Sequence, residues 1–330
     1  PVLHVIGYDS LEDAIDIFNA TDYALTGGIF SQSQDDIDYL SSVLECGNLY
    51  INRAITGARV AIEPFGGFKF SGTGPKAGGK KYLPTLHCHI FTGVNSPTLY
   101  DDGVEYLFPI CSASKISIPR SRDRMSDVLD RLIKNYEVLF YGQYGEEKEH
   151  LSHFKKWINT EFIEFKSGTH ANRKIPGQLS YNDYRIHAKN ILVVCEVILP
   201  NFCTLLQVLS ALLVGAGVTV ACRNEKNYQW WSNIKLFLYS GGISKENFEV
   251  YFTSEKILNT VLNTEDFSHV IFDSAKSKYF TQTTKMTKIL GPNEIDGQLD
   301  FKKYLEEYIF IRSMAVNTMR HGAPLEVDLV

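Results

Sequence analysis

The 330-residue sequence lacks two features that indicate a function directly, an excess of positive charge and paired cysteines. Its net charge of -5 gives no general attraction to nucleic acid, and none is expected as a partner. Its six cysteines form no C-x-x-C pair, so no zinc or redox motif of that spacing is predicted. Residues 1–6 carry no basic stretch and no cleavage site, so we expect no signal peptide. We therefore expect a reduced, cytoplasmic protein.

The first residues also lack an initiator methionine and open directly in a strand pattern, from which we expect a fragment or a processed chain.

Possible metal ligands come together at residues 87–89. Cys88 lies between His87 and His89, but alternate residues of a strand point to opposite faces. We predict no metal site.

Basic residues cluster between residues 120 and 134, where acidic residues interleave with them. Asp127 precedes Arg131 by four positions, and Asp130 precedes Lys134 by the same spacing. This spacing is typical of a solvated, ion-paired helix face. A phosphate-binding patch is the alternative, and the interleaved acids favour the solvated helix.

One stretch, residues 197–222, has no charged residue and is long enough to cross a bilayer. Its interior argues against a membrane helix. Pro200-Asn201 is a helix-start signal, Gly215 and Gly217 end the helical part, and β-branched runs flank it on both sides. The pattern predicts strand, buried helix and strand, a βαβ unit.

The fold class predicted for the whole chain is α/β, with the C-terminal residues 95–330 forming a Rossmann-like domain after residues 1–94. The predicted elements before residue 95 are a strand at Val2–Tyr8, a helix capped by Ser10 and Asp13, a short strand, a second helix and a third strand, in that order. A long glycine-rich loop follows from residue 52 to 81, and a loop of that length is usually functional.

The second half is predicted to contain two polar helices before residue 163, a loop at residues 167–183, and then alternating strands and helices. An extended arm is predicted between Lys81 and Thr92, and a tail at about residues 310–330.

Four short motifs punctuate the first 80 residues. They read Gly47-Asn48-Leu49-Tyr50-Ile51-Asn52-Arg53, Thr56-Gly57-Ala58, Pro64-Phe65-Gly66-Gly67-Phe68-Lys69 and Ser71-Gly72-Thr73-Gly74-Pro75-Lys76-Ala77-Gly78-Gly79. Up to about residue 86 the chain closely resembles the end of an aldehyde dehydrogenase catalytic domain. The endings T-G-A and S-G-T-G-P-K-A-G-G narrow the resemblance to the glutamate-semialdehyde dehydrogenase module of the PutA (proline utilization A) family.

The resemblance implies substrate-binding roles for Gly57, Ala58 and Phe65. Gly57 and Ala58 would hold the carboxylate of glutamate semialdehyde, and Phe65 would pack on its aliphatic part. The chemistry agrees, since consecutive backbone N–H groups of a glycine-rich turn form an anion nest. The alternative is that Gly57 only turns the chain and Phe65 only fills core.

Two residues depart from the family pattern V-V-G-V-Q-P-F-G-G. Ala61 replaces a glycine, which restricts φ there. Glu63 replaces a glutamine and adds negative charge near a loop expected to bind an acidic substrate.

One further pattern, Gly72-x-Gly74-x-x-Ala77, matches a loose dinucleotide-binding fingerprint. It lies in a loop context, so we reject a dinucleotide site there.

Residues 177–225 resemble the start of an aldehyde dehydrogenase cofactor domain. Within them Leu199-Pro200-Asn201-Phe202 resembles its P-W-N-F turn, and Ala211–Val220 resembles its A-L-A-A-G-N-T-V segment. Arg223 stands where the family has an adenine-ribose lysine. Asp273 places an acid where a pyrophosphate would approach, an unfavourable contact between like charges. The resemblance therefore implies a Rossmann domain that has lost its dinucleotide site. The segment from Arg312 to Thr318, with Gly322-Ala323, resembles the tail of long PutA proteins.

In that family the parent enzyme oxidises proline with FAD and then glutamate semialdehyde with NAD. No cysteine of this chain lies in the family's G-Q-x-C context. The resemblance thus implies no catalytic residue and no bound cofactor here, with the nucleophilic cysteine and general-base glutamate upstream. The second domain is expected to be a lid that retains the intermediate. Its expected partners are the upstream dehydrogenase modules and the small substrate, and the family allows a peripheral membrane contact of the parent. The alternatives are a pure assembly domain and a stand-alone NAD oxidoreductase.

Overall fold

The computed structural model describes residues 2–59, 62–72, 74–79, 82, 107–113, 118–139, 145–162, 169–170, 177–186, 189–197, 202–274, 288–290, 301–320 and 323–324. The chain divides into two compact units. The first unit consists of Pro1–His89, Phe165–Arg185 and Ile311–Val330, and the second of Ile90–Glu164 and Ile186–Phe310.

The described helices are α1 (Leu11–Asn19), α2 (Gln34–Val43), α3 (Ile118–Lys134), α4 (Tyr136–Leu139), α5 (Gly145–Thr160), α6 (Phe202–Leu213), α7 (Glu225–Ser240), α8 (Glu255–Thr264) and α9 (Phe301–Glu306). The described strands are β1 (Tyr23–Ala24), β2 (Thr26–Ile29), β3 (Asn48–Ile51), β4 (Phe68–Lys69), β5 (Thr169–His170), β6 (Gln178–Ile186), β7 (Asn190–Cys195), β8 (Gly217–Cys222), β9 (Phe248–Phe252), β10 (His269–Phe272), β11 (Lys288–Leu290), β12 (Ile309–Asn317), β13 (Met319–Arg320) and β14 (Ala323–Pro324).

The first unit contains a five-stranded sheet in the order β2-β3-β12-β6-β5. Strand β3 runs parallel to β2 on one side and to β12 on the other. One face of β3, Leu49 and Ile51, packs with Ile15 of α1 and Ile37 of α2 into an apolar core. The sheet therefore joins strands from three distant parts of the chain.

The second unit contains a five-stranded sheet in the order β11-β10-β7-β8-β9, and every neighbouring pair is parallel. Its strands are continuous apolar runs, as expected for a parallel sheet covered on both faces. The predicted α/β class and the βαβ unit of β7, α6 and β8 are confirmed. Among the described helices, none has the length and apolar composition required to cross a bilayer.

Helix starts follow the side-chain signals of the sequence. Ser10 Oγ accepts a hydrogen bond from Asp13 N–H at 3.1 Å, and the Asp13 carboxylate accepts from Ser10 N–H at 3.1 Å. This is the predicted capping box, which satisfies two backbone donors at the start of α1.

Two predicted elements differ from the structure. The strand predicted at Val2–Tyr8 is absent, and this segment is mostly exposed with no regular structure. An alternating apolar pattern forms a strand only where a partner supplies the hydrogen bonds. The loop predicted at residues 167–183 is also wrong, because β5 lies within it, β6 begins within it, and the two strands pair antiparallel.

The predicted division at residue 94 also differs from the compact units. Residues 165–185 and 311–330 join the first unit because β6 and β12 belong to its sheet. The boundary itself, Ala61, Cys88, the turn at Leu199–Asn201 and all of the arm between Lys81 and Thr92 except Tyr82 lie outside the described residues.

Candidate functional site

The loop that follows β3 carries the two predicted carboxylate-binding residues. Gly57 has φ +83°, a backbone conformation that favours glycine, and it is exposed, whereas Ala58 is half-buried. Neither backbone N–H donates a hydrogen bond to any residue that the structure describes. Two consecutive N–H groups are thus available to an anion, as an anion nest requires.

Arg53 lies directly beneath this loop and contacts it at two points. Its Nε donates to the Ala54 carbonyl at 3.3 Å, and its Nη2 donates to the Thr56 carbonyl at 3.2 Å. The guanidinium also stacks over the Tyr50 ring, 4.9 Å from its centroid.

Glu63 closes the loop from the other end. It is only 3% exposed. One carboxylate oxygen accepts from Gln178 Nε2 at 2.6 Å and from Ser180 Oγ at 3.2 Å, and lies 3.9 Å from Arg53 Nη1. The other accepts from Arg59 N–H at 3.3 Å. The negative charge of Glu63, expected near the substrate, is therefore buried in the protein, where Arg53 balances it.

Phe65 occupies a second turn, where its backbone pairs with Ala77. The two residues exchange hydrogen bonds of 3.0 and 2.9 Å, and the Phe65 side chain is 37% exposed. This bridge ties the P-F-G-G segment to the G-P-K-A-G-G segment. Gly47 lies under the same turn, where a Cβ would overlap with the Gly66 carbonyl oxygen.

Lys76 anchors this turn to the start of β3. Its ammonium donates to the Gly47 carbonyl, and to Asn48 Oδ1 at 3.4 Å. Burial lowers the pKa of Lys76 to about 7, with the Arg312 charge lowering it further and Cys46 opposing the shift.

The tail strand β12 contacts both ends of the region between β3 and Phe65. Asn317 Nδ2 donates to the Asn52 carbonyl at 3.2 Å, and Ser313 Oγ donates to the Pro64 carbonyl at 2.9 Å. The sequence motif resembling a family tail thus lies beside the motif resembling the substrate loop.

Of the three predicted site residues, Gly57 and Ala58 are adjacent on one exposed loop, while Phe65 lies on the neighbouring turn. Their roles stay predictions. Sequence reasoning missed Arg53, Gln178 and Ser180. The i,i+2 spacing of Gln178 and Ser180, which puts both on one face of a strand, was the available signal.

The carboxyl edge of the second sheet carries a buried acid. In this strand order β7 and β10 are neighbours where the winding direction reverses, the place at which such sheets bind ligands. Asp273 follows β10, and its carboxylate accepts from the N–H groups of Glu196 at 2.9 Å and Val197 at 3.2 Å. Burial raises the pKa of Asp273 to about 7, against the lowering effect of these hydrogen bonds.

Asp273 thus takes the backbone donors that a phosphate would need. Arg223, at the start of the turn after β8, is also buried and donates to the Thr253 carbonyl. The predicted loss of the dinucleotide site stays a prediction.

The described cysteines are all buried free thiols: Cys46, Cys111, Cys195, Cys203 and Cys222. Burial raises the pKa of Cys111 to about 11 and also raises those of Cys195 and Cys203. Since the thiolate is the nucleophile, burial disfavours the reactive form of these three cysteines. No group of three or more His, Cys, Asp or Glu side chains suited to a metal ion occurs in the described part of the chain.

Comparison with known proteins places the resemblance in the first 87 residues. The model of the aldehyde dehydrogenase family matches residues 1–87. A bifunctional protein PutA of Rhizobium meliloti is 52% identical over 88 residues, 26% of this chain and 7% of that protein. A 1-pyrroline-5-carboxylate dehydrogenase of Bacillus pumilus is 46% identical over 87 residues, 26% of this chain and 17% of that protein. The chain thus spans a small part of the relatives it matches.

Among solved structures, Proline Utilization A (PutA) from Corynebacterium freiburgense aligns with 96% of this chain and 25% of its own, at 18% identity and a TM-score of 0.46. The sequence matches, at about half identity, are confined to this segment. Residues 1–87 are thus similar to the aldehyde dehydrogenase family, and in particular to PutA and to 1-pyrroline-5-carboxylate dehydrogenases.

Proposed function

We propose that this chain is part of a bifunctional enzyme that oxidises proline to glutamate, and that its first unit forms one wall of the glutamate-semialdehyde pocket. The observation that carries the proposal is the pair of available N–H groups at Gly57 and Ala58, on a loop within the family segment. The names of the relatives, PutA and 1-pyrroline-5-carboxylate dehydrogenase, support the substrate class.

In this proposal the backbone nest holds the substrate's carboxylate, and Phe65 packs on its methylene groups. A nest of N–H dipoles attracts the carboxylate without a lysine or arginine that would repel the neighbouring ammonium. The nucleophilic cysteine, the general-base glutamate and the sites for NAD and FAD belong to the parent modules outside this chain.

The second unit is proposed to be a non-catalytic domain that retains the reactive intermediate in the parent enzyme. The hydrogen bonds of Asp273 support the absence of a dinucleotide role, because they occupy the donors at the carboxyl edge of its sheet.

The test is turnover by the purified 330-residue chain. With NAD and glutamate semialdehyde it should produce no NADH above the enzyme-free rate, while the Bacillus pumilus dehydrogenase, as positive control, should. Calorimetry should detect no heat of NAD binding. NADH formation or saturable NAD binding by the chain would contradict the proposal and favour a stand-alone oxidoreductase.

A further inference from the structure

The Arg53 side chain links the loop that carries Gly57 and Ala58 to the rest of the first unit. Two of its donors hold the carbonyls of Ala54 and Thr56. A third, Nη1, donates to Gln178 Oε1. A planar guanidinium supplies these divergent donors from one rigid group, which a lysine does not.

The guanidinium is held in place from every side that the structure describes. Tyr50 lies beneath it, and the Gln178 amide links it to Glu63 by donating to that carboxylate at 2.6 Å. The Arg53 side chain is 17% exposed and that of Glu63 only 2%. A group fixed in this way can fix the backbone that it contacts.

We propose that Arg53 is the positioning residue of the loop of residues 54–58, with Glu63 as its buried counter-ion. By binding the Ala54 and Thr56 carbonyls, it fixes the backbone directly before Gly57 and Ala58, whose N–H groups have no acceptor among the described residues. The identity of the substrate rests on the proposed function. The effect of Arg53 on the loop rests on the geometry alone.

The pairing with Glu63 also sets the charge of the site. Arg53 alone would favour any carboxylate and repel a neighbouring ammonium. Neutralised by Glu63, it leaves recognition to the backbone dipoles, which suits the zwitterionic end of an α-amino acid. This agrees with the α-amino carboxylate end of the proposed substrate.

The first experiment measures backbone order at Gly57 and Ala58 by ¹⁵N relaxation in the full chain. In the wild type we expect order parameters near 0.85, and in Arg53→Met and Arg53→Lys values below about 0.6. Arg59→Met is the matched control. Arg59 is an exposed arginine next to the same loop, and its described hydrogen bonds are made by its backbone N–H and carbonyl, which the substitution leaves in place. The control should remain as ordered as the wild type. Wild-type order in both Arg53 variants would overturn the positioning role.

The second experiment uses the parent enzyme. Arg53→Lys should raise KM for glutamate semialdehyde about tenfold, the effect of one hydrogen bond to a charged group, with kcat within about twofold. A fall in kcat at unchanged KM would overturn the role, because it would place Arg53 in the chemical step.

The two proposals fail separately. If Gly57→Val leaves KM unchanged while Arg53→Lys still disorders the loop, the substrate assignment is wrong and the positioning of the loop stands. If the loop stays ordered in both Arg53→Met and Arg53→Lys, the positioning is wrong whatever Gly57→Val does.

Discussion

Lys76 is a buried lysine whose charge the fold disfavours. Its pKa falls from 10.5 to about 7 on burial, so above pH 7 the unfolded chain binds more protons at this residue than the folded chain does. The free energy of unfolding of the first unit should therefore rise with pH between 7 and 8.5, by on the order of 1 kcal/mol per pH unit. Pulsed hydrogen exchange of β3 along a urea series at each pH measures it.

Lys76→Met is the matched variant, because methionine keeps much of the side-chain volume and removes the titration. Its unfolding free energy should lack this slope. Equal slopes in the variant and the wild type would mean that Lys76 stays protonated in the folded chain.

The residues around the loop show which features the sequence could reveal. The Ser10–Asp13 capping box was predictable, because both partners lie three positions apart. The environment of Glu63 was not, since Gln178 is 115 positions away from it. A local pattern identifies caps and turns, whereas the partner of a buried charge depends on which distant strand is its neighbour.

The C-terminus of α2 is stabilised from the far end of the sequence. The last turn of α2 has no basic residue. Arg312, which is 1% exposed, donates to the Ser41 carbonyl at 2.6 Å and the Leu44 carbonyl at 3.3 Å. Its positive charge thus lies at the negative end of the helix dipole.

Arg312→Met should lower the free energy of unfolding of the first unit by about 2–3 kcal/mol, since buried carbonyls lose charged donors. Arg312→Lys should lower the free energy of unfolding by about half as much, because a single ammonium replaces the two-pronged guanidinium that reaches both carbonyls. The same urea series measures both. A loss below about 0.5 kcal/mol in Arg312→Met would contradict this capping role.

Four strands of the second sheet were predicted from the sequence and β11 was missed, whereas the strands of the first unit were predicted only in part. β9 and β10 are short apolar runs between helix signals, and they form where the pattern predicts. β6 was missed because Gln178 and Ser180 break its apolar pattern, and its neighbour β12 lies far along the chain. The opposite error occurred at Val2–Tyr8, where the pattern predicted a strand but no described strand pairs with the segment.

Removing residues 311–330 should unfold the first unit and spare the second. β12 lies between β3 and β6, so its loss divides the first sheet. Hydrogen exchange should show loss of protection in β3. All three tryptophans, at positions 157, 230 and 231, are buried in the second unit, and their emission should be retained.

Removal of residues 325–330 is the control, since it leaves every described strand in place. It should protect β3 as the whole chain does. Protection of β3 in the chain ending at residue 310 would show that the first sheet forms without its central strand.

The position of β12 also sets an order on biosynthesis. Arg312 and Ser41 are 271 positions apart, so α2 and β3 leave the ribosome long before their partners are translated. The strands from β7 to β11 lie within one stretch, between residues 190 and 290, and can assemble while translation continues. In the nascent chain, β3 therefore stays unpaired on one side until β12 has been translated. A ribosome that stalls late in the message would leave that edge open to aggregation.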